Sequence, residues 1–346
     1  MDPRYFYMFL AFSIGVLIHT VIIEFSHKKK LFLDAQLKIQ RVHKVPTPRI
    51  GGLGIFLACL FMIFNQELGQ LLIISTIPVF IAGFVEDFTE SASPIQRLLI
   101  MSLGTVFLFA LLSWKGYFEF IPLRYLVPLF FILFLFINGA INGVNFIDGS
   151  NGLAAGSSLI TTMGIALFAY IVKDFTVLYL AAILAVSILA FLIFNFPVAK
   201  IFLGDSGSYS LGFFLSALSL ILLLRNYKYL HWMLIPVLLI YPLIEVGFSI
   251  LRKAFFDKIS PFSSDRNHFH QLVFRDLKNS KVYYPALSIL PFQALAILLS
   301  VFFLNNYIVL FGICIMFSAL YVYVYIYKRR KVYTFYKEMK REKEID

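Results

Sequence analysis

The feature that most constrains this chain is a succession of apolar blocks, each about as long as a bilayer is thick. Roughly 20 consecutive apolar residues carry a helix across the hydrocarbon layer, and the run from Tyr5 to Phe25 meets that length. The basic residues His27, Lys28, Lys29 and Lys30 follow this run rather than precede it, and no small-residue cleavage site comes after. It therefore reads as a membrane helix and not as a signal peptide. Ten further blocks are expected near 50–65, 68–84, 97–114, 124–142, 152–172, 176–194, 207–224, 232–251, 284–304 and 306–327. The reading is an all-α polytopic membrane protein with about eleven transmembrane helices. Residues 1–327 form a single transmembrane domain, and 328–346 form a basic tail whose simplest role is anchoring at the inner leaflet. Composition agrees, because only 14% of residues are charged, against about 25% in a soluble domain. Cys59 and Cys314 lie inside apolar blocks and suggest neither a disulfide framework nor a zinc cluster.

Loops on the cytoplasmic side of a membrane keep the excess of Lys and Arg. With the N-terminus outside and eleven spans, 24 of the 30 Lys and Arg fall inside: in 26–49, at Arg97 and Lys200, in 252–283 and after Tyr327. The expected orientation is N-terminus out and C-terminus in. The net charge of +11 is then explained by basic loops beside anionic lipid, with no nucleic-acid partner.

Five polar clusters fall on that same expected cytoplasmic face: Arg41–Gly54, Gly83–Asp87, Asn138–Asn151, Asn195–Ser208 and Ser263–Gln271. Polar residues at the ends of spans are costly and point to a site. The pair Glu86-Asp87 reads either as two solvated loop acids or as carboxylates for cation binding or proton transfer. In the third cluster, Asn138, Asn142, Asn145 and Asp148 fall within roughly 120° of one helix face at 100° per residue. Interhelical hydrogen bonding could account for one or two of them. Four in register, opening into the turn Asp148-Gly-Ser-Asn151-Gly, suggest a ligand surface whose oxygens suit Mg²⁺. The turn Phe202-Leu-Gly-Asp205-Ser-Gly-Ser208 can cradle phosphate at a helix start, and equally can be a simple cap. Arg266, His268 and His270 fit phosphate or sugar better than zinc, which would need more ligands than the remaining histidines supply. The run Arg41-Val-His43-Lys44-Val-Pro46-Thr-Pro48-Arg49-Ile-Gly51-Gly52 is a basic, turn-forming entry to the second span.

These five clusters, in this order, resemble the polyprenyl-phosphate N-acetylhexosamine-1-phosphate transferase family, over about Arg41 to Gln271. The resemblance implies an active site on the cytoplasmic face and two substrates, a UDP-N-acetylhexosamine and undecaprenyl phosphate. It implies Mg²⁺ as cofactor, with Mn²⁺ as the alternative, and release of UMP. Asp205 and Asn145 match metal ligands, and Phe202 and Asn151 match residues that stack on and hydrogen-bond the uracil. Asp87, Glu86 and Asp148 are the candidate catalytic carboxylates. Lys44 and Arg97 sit where basic residues meet phosphates, and Arg266, His268 and His270 match a loop that contacts sugar or diphosphate. Two departures stand out: Glu86 replaces the first acid of an Asp-Asp pair, and Gln271 replaces the last histidine of the loop. Thr89-Glu90 and the short Asp-Arg-x-His-x-His loop tilt the reading away from the peptidoglycan translocase branch, which is the runner-up. A transporter, the reading from another class, would place polar residues on both faces and in mid-bilayer; Glu245 is the main such exception. The expected setting is the cell inner membrane at the start of an envelope polysaccharide. Dimerisation and the identity of the hexosamine stay open.

Overall fold

The computed structural model describes residues 3–33, 46–64, 67–89, 93–260, 263, 265, 267–276 and 281–342, the last eight by backbone alone. Thirteen α-helices follow in chain order. They are α1 Pro3–Lys29, α2 Gly51–Cys59, α3 Glu67–Thr89, α4 Pro94–Trp114, α5 Leu123–Phe146, α6 Leu153–Ile171 and α7 Phe175–Asn195. After them come α8 Gly204–Asn226, α9 Leu234–Leu238, α10 Ile240–Leu251, α11 Phe269–Asp276, α12 Tyr284–Ser300 and α13 Tyr307–Glu342.

Among the described residues nine helices are long and apolar enough to cross a membrane. Their boundaries follow the expected blocks, and two expected spans come out differently. The block at 50–65 is the shorter apolar helix Gly51–Ile63, about 20 Å at 1.5 Å per residue and so short of the hydrocarbon thickness. The block at 232–251 is broken at Leu239 between α9 and α10. Pro242 causes the break. It has no N–H for the Leu238 carbonyl four residues back, and that carbonyl instead accepts the Thr161 hydroxyl of α6 at 2.7 Å. In a medium without water such a freed carbonyl needs a partner of this kind.

Helix α8 is the axis of the bundle and almost every residue of its apolar stretch is buried, whereas α1 lies on the outside and is mostly exposed. Helices α2, α3, α5 and α6 surround it. Its buried face is rich in Ser and Gly, and small residues let neighbours approach closely where hydrophobic driving force is absent. The tightest approach to α8 is Gly52 of α2 on Gly207, where an added Cβ would lie 2.1 Å from the Gly207 nitrogen. Backbone bonds from Gly51 to Phe202 and from Gly52 to Leu203, both 2.9 Å, lock the start of α2 to the start of α8.

Candidate active site

Four helix ends meet where α8 begins. Its first residues carry free backbone N–H groups, as every helix start does. Asp87, in the last turn of α3, accepts the Asp205 N–H at 2.7 Å, the Ser206 N–H at 2.9 Å and the Ser206 hydroxyl at 2.6 Å. Gly204 makes this fit feasible: its φ of +78° is left-handed, and a Cβ there would stand 2.6 Å from Asp87 Oδ2. The alternative reading of this turn as a simple cap of its own helix, by Asp205 or Ser206, is thus replaced by a cap from another helix. Both Asp87 oxygens are engaged in holding the helix start.

With its backbone held, Asp205 turns its carboxylate into the site. Oδ1 accepts Asn145 Nδ2 at 2.8 Å and Arg49 Nη2 at 3.2 Å. Oδ2 lies 3.9 Å from Arg97 Nη1. Asn145 also donates to the Ser208 hydroxyl at 3.0 Å, which ties α5 to the first turn of α8. Arg97 is placed by the start of α4, where Ser93 and Gln96 form a reciprocal capping box and Pro94 opens the helix. From there it reaches Glu86 at 3.3 Å and the Tyr209 hydroxyl at 3.4 Å. Glu86, the longer acid of the pair, therefore has a partner matched to its reach.

Asp148 lies in the turn between α5 and α6, half-buried. Loss of water pushes its carboxyl up to about 7; nearby Asp205 and Asp87 add to the rise, while Arg49 and the Gly204 N–H partly offset it. Four carboxylates (Glu86, Asp87, Asp148, Asp205) thus gather around two guanidinium groups, Arg49 and Arg97. The donor set fits a hard divalent cation that takes one or two protein oxygens and fills its other positions with water and phosphate. Asp205 and the Asn145 amide, turned to present its oxygen, are the residues that would hold it. No cluster of three or more His, Cys, Asp or Glu side chains suited to a metal occurs among the described residues.

The expected polar stripe on α5 divides. Asn145 and Asp148 join the site. Asn138 instead bonds Thr105 and Ser102 of α4 and its own helix at Phe134, and Asn142 donates to the Asn138 carbonyl. These two residues are interhelical and intrahelical glue. Asn151 is buried, and its amide donates to the Pro197 carbonyl at 3.0 Å. Asn195 accepts the Gly152 N–H at 2.7 Å, so the 148–152 turn and the 195–202 loop form one wall. Phe202 is half-buried in that wall, with its backbone N–H on the Pro48 carbonyl.

His268 and His270 stack with ring centroids 6.0 Å apart and planes 11° from parallel. Gln271 does not act as a third ring: its side chain accepts the His268 N–H at 3.3 Å, one half of a capping box at the start of α11. His270 is buried against Gly149, where an added Cβ would lie 2.3 Å from its Nε2. Burial drives its pKa down to about 4, so the ring is neutral near pH 7. Neither ring nitrogen finds a hydrogen-bond partner among the described residues. Lys44 and Arg266 lie outside the described residues.

Residues that the sequence reading did not assign also matter. Arg49 joins Asp205 and Asp87, and its place in Pro-Arg-x-Gly-Gly was the available signal. Ser206, Ser208 and Tyr209 belong to the site through hydrogen bonds that only packing reveals.

Comparison with known proteins gives the same picture. The family described as Glycosyl transferase family 4 matches residues 70–223, a stretch that holds Glu86, Asp87, Arg97, Asn145, Asp148, Asn151, Phe202 and Asp205. A Thermotoga maritima protein named undecaprenyl-phosphate alpha-N-acetylglucosaminyl 1-phosphate transferase is 29% identical, over 84% of this chain and 90% of its own. A Bacillus subtilis protein named probable undecaprenyl-phosphate N-acetylglucosaminyl 1-phosphate transferase is 28% identical, over 78% of each chain. A Streptococcus pneumoniae phospho-N-acetylmuramoyl-pentapeptide-transferase is 30% identical, over 62% of this chain and 74% of its own. A multi-pass bundle with this cluster of acids and amides at one end thus belongs to glycosyl transferase family 4, the family of polyprenyl-phosphate N-acetylhexosamine-1-phosphate transferases.

Proposed function

We propose that this chain transfers N-acetylglucosamine 1-phosphate from UDP-N-acetylglucosamine to undecaprenyl phosphate at the cytoplasmic face of the inner membrane, releasing UMP. The observation that carries the reading is the start of α8, where Asp87 holds the helix so that Asp205, Asn145 and Arg97 converge on one point. A phosphate oxygen of the lipid bonds to the β-phosphorus of the nucleotide sugar as the bond from that phosphorus to the bridging oxygen breaks. UMP departs with the electron pair.

A phosphate monoester has its second pKa near 6, so the attacking lipid phosphate is largely dianionic at pH 7 and needs no general base. That agrees with Asp87 being occupied as a cap. The work left to the protein is charge neutralisation and in-line alignment. Asp205 and Asn145 would hold a Mg²⁺ ion, which when bound would supply positive charge at the diphosphate. Arg97 and Arg49 add fixed charge beside it. The wall of Asn151 and Phe202 is suited to the uracil, and the neutral, unpartnered His270 ring to a sugar or diphosphate oxygen. The excess of Lys and Arg in the loops at this end supports the cytoplasmic placement.

The second reading, a phospho-N-acetylmuramoyl-pentapeptide transferase, is favoured by the Streptococcus pneumoniae relative. Incubation of purified protein with undecaprenyl phosphate and each UDP-sugar, followed by mass spectrometry of the lipid, separates the two. A lipid diphosphate carrying N-acetylglucosamine is the expected product. A lipid carrying only the muramoyl pentapeptide would replace the first reading with the second.

A further inference from the structure

Helix α13 does not stop where its apolar stretch ends at Tyr327; it runs unbroken to Glu342. The basic residues there were expected to face lipid headgroups. Instead, several hold the segment that carries His268 and His270. Lys328 and Lys331 both pair with Asp276, the last residue of α11, with Lys331 at 2.7 Å. The Asp276 side chain is only 3% exposed. Arg329 lies 2.6 Å from Asp257 Oδ1, and the other oxygen of Asp257 pairs with the buried Arg252. Between these anchors the Tyr325 hydroxyl donates to the Asn267 carbonyl at 2.8 Å.

One turn deeper, the Tyr321 hydroxyl donates to Oε2 of the buried Glu245 at 2.9 Å. Oε1 of that carboxylate faces His268 Nδ1 at 3.0 Å and accepts the Phe269 N–H at 3.3 Å. Positions 321, 325, 328 and 332 recur every three to four residues, so they share one face of the helix, and Val332 is buried on it. At Asp276 burial opposes ionisation, yet the bonds from Lys328 and Lys331 hold its carboxyl below the usual range.

We propose that the extension of α13 is a strut that positions the His268–His270 segment over the active site, with Asp276 and Asp257 as its points of attachment. The proposal rests on the transferase reading of that site and adds to it a positioning role for residues that touch no substrate. It also accounts for Glu245, the main acid of the apolar blocks away from the site, as the link between α10, α13 and His268. Pairs between a buried acid and the far part of α13 tie the order of the loop to the order of the tail.

The test is a charge exchange at the Asp276 attachment. Asp276→Lys is expected to lower kcat/KM for the UDP-sugar about tenfold or more, while KM for undecaprenyl phosphate stays within about twofold of wild type. Adding Lys328→Asp and Lys331→Asp to that variant is expected to restore most of the loss, which a merely damaged fold would not allow. Amide hydrogen exchange over residues 269–276 gives a readout independent of activity: faster in Asp276→Lys, slow again in the exchanged variant. If Asp276→Lys does not fold, Lys328→Asp with Lys331→Asp alone serves, since Lys331 is largely exposed, and it is expected to show the same loss and faster exchange. Active wild type with variants unchanged in both readouts, or with no restoration on exchange, overturns the strut. Wild type inactive with every UDP-sugar, while exchange rates still respond as described, overturns the transferase reading and leaves the strut standing.

Discussion

The carboxylate of Asp87 accepts the backbone N–H groups of Asp205 at 2.7 Å and Ser206 at 2.9 Å, so the end of one membrane helix caps the start of another. An aspartate at a helix start is favourable through both hydrogen bonding and the helix dipole. Here that local rule is satisfied across 118 residues of sequence. It sets the direction in which Asp205 points.

Asp87→Asn tests this relationship. An amide keeps one acceptor but aims its NH₂ group at an N–H or hydroxyl that also donates. Leaving a buried donor unpaired costs about 1–3 kcal/mol, so UMP release is expected to fall about ten- to hundredfold with a lower melting temperature in detergent. Wild-type activity in a well-folded Asp87→Asn protein would show that the cap does not set the site.

Gly204→Ala is expected to be still more damaging. The left-handed conformation costs a side chain about 1–2 kcal/mol, and the new Cβ would stand 2.6 Å from Asp87 Oδ2 and 2.8 Å from the Arg49 carbonyl. Gly139→Ala on α5 is the control, because nothing lies within 4 Å of its added Cβ. It is expected to be neutral or to stabilise by about 0.5–1 kcal/mol. Thermal melting and UMP release on the pair check the contrast.

The amide ladder of α5 separates stability from activity. Asn138→Leu removes bonds to α4, worth about 0.6 kcal/mol each in membrane bundles, and is expected to lower melting while activity per folded molecule persists. Asn145→Leu, which loses its own bonds to Asp205 and Ser208 of α8, is expected to lower melting by a comparable amount and to abolish activity as well. Equal losses of activity in both would restore the reading of the whole stripe as a ligand surface.

That contrast shows where sequence was informative and where it was not. The apolar blocks, the acids at span ends and the Gly-rich turns are local signals, and they located Asp87, Asn145, Asp148 and Asp205 together. Helical periodicity put Asn138 and Asn142 on the same face as Asn145, but periodicity does not say that the face turns from the site toward α4 along its length. Pro242 was legible as a breaker, but that the freed Leu238 carbonyl finds the Thr161 hydroxyl, 77 positions away, was not. Arg49 and Tyr209 entered through long-range contacts, and Lys328 and Lys331 looked like lipid anchors until Asp276 was placed beside them. Gln271 was legible as a departure, and its use as a cap was not.

Asp148 is one source of pH dependence that a single substitution can isolate. Its carboxyl, ordinarily near 3.8, is raised to about 7, so the folded protein keeps a proton that the unfolded chain has released. Its contribution to stability is intact below about pH 4 and is lost as pH rises through about 7. This contribution alone favours a lower melting temperature at about pH 8 than at about pH 5 in the metal-free protein, against the opposite slope from the buried His270; relative to wild type, Asp148→Asn is expected to gain melting temperature at the higher pH. Added Mg²⁺ is expected to raise the melting temperature more at the higher pH, where the carboxylate is ionised. An unchanged slope in Asp148→Asn would assign the effect elsewhere.

The central claim is that the point held by Asp205 and Asn145 performs metal-dependent transfer. It is tested most directly by UMP release from UDP-N-acetylglucosamine and undecaprenyl phosphate by purified protein with Mg²⁺, beside an EDTA control and Asp205→Asn. The account predicts UMP release by wild type that chelation stops, Mg²⁺ restores and Asp205→Asn lacks. Undiminished UMP release by Asp205→Asn, or by wild type in EDTA, would contradict it.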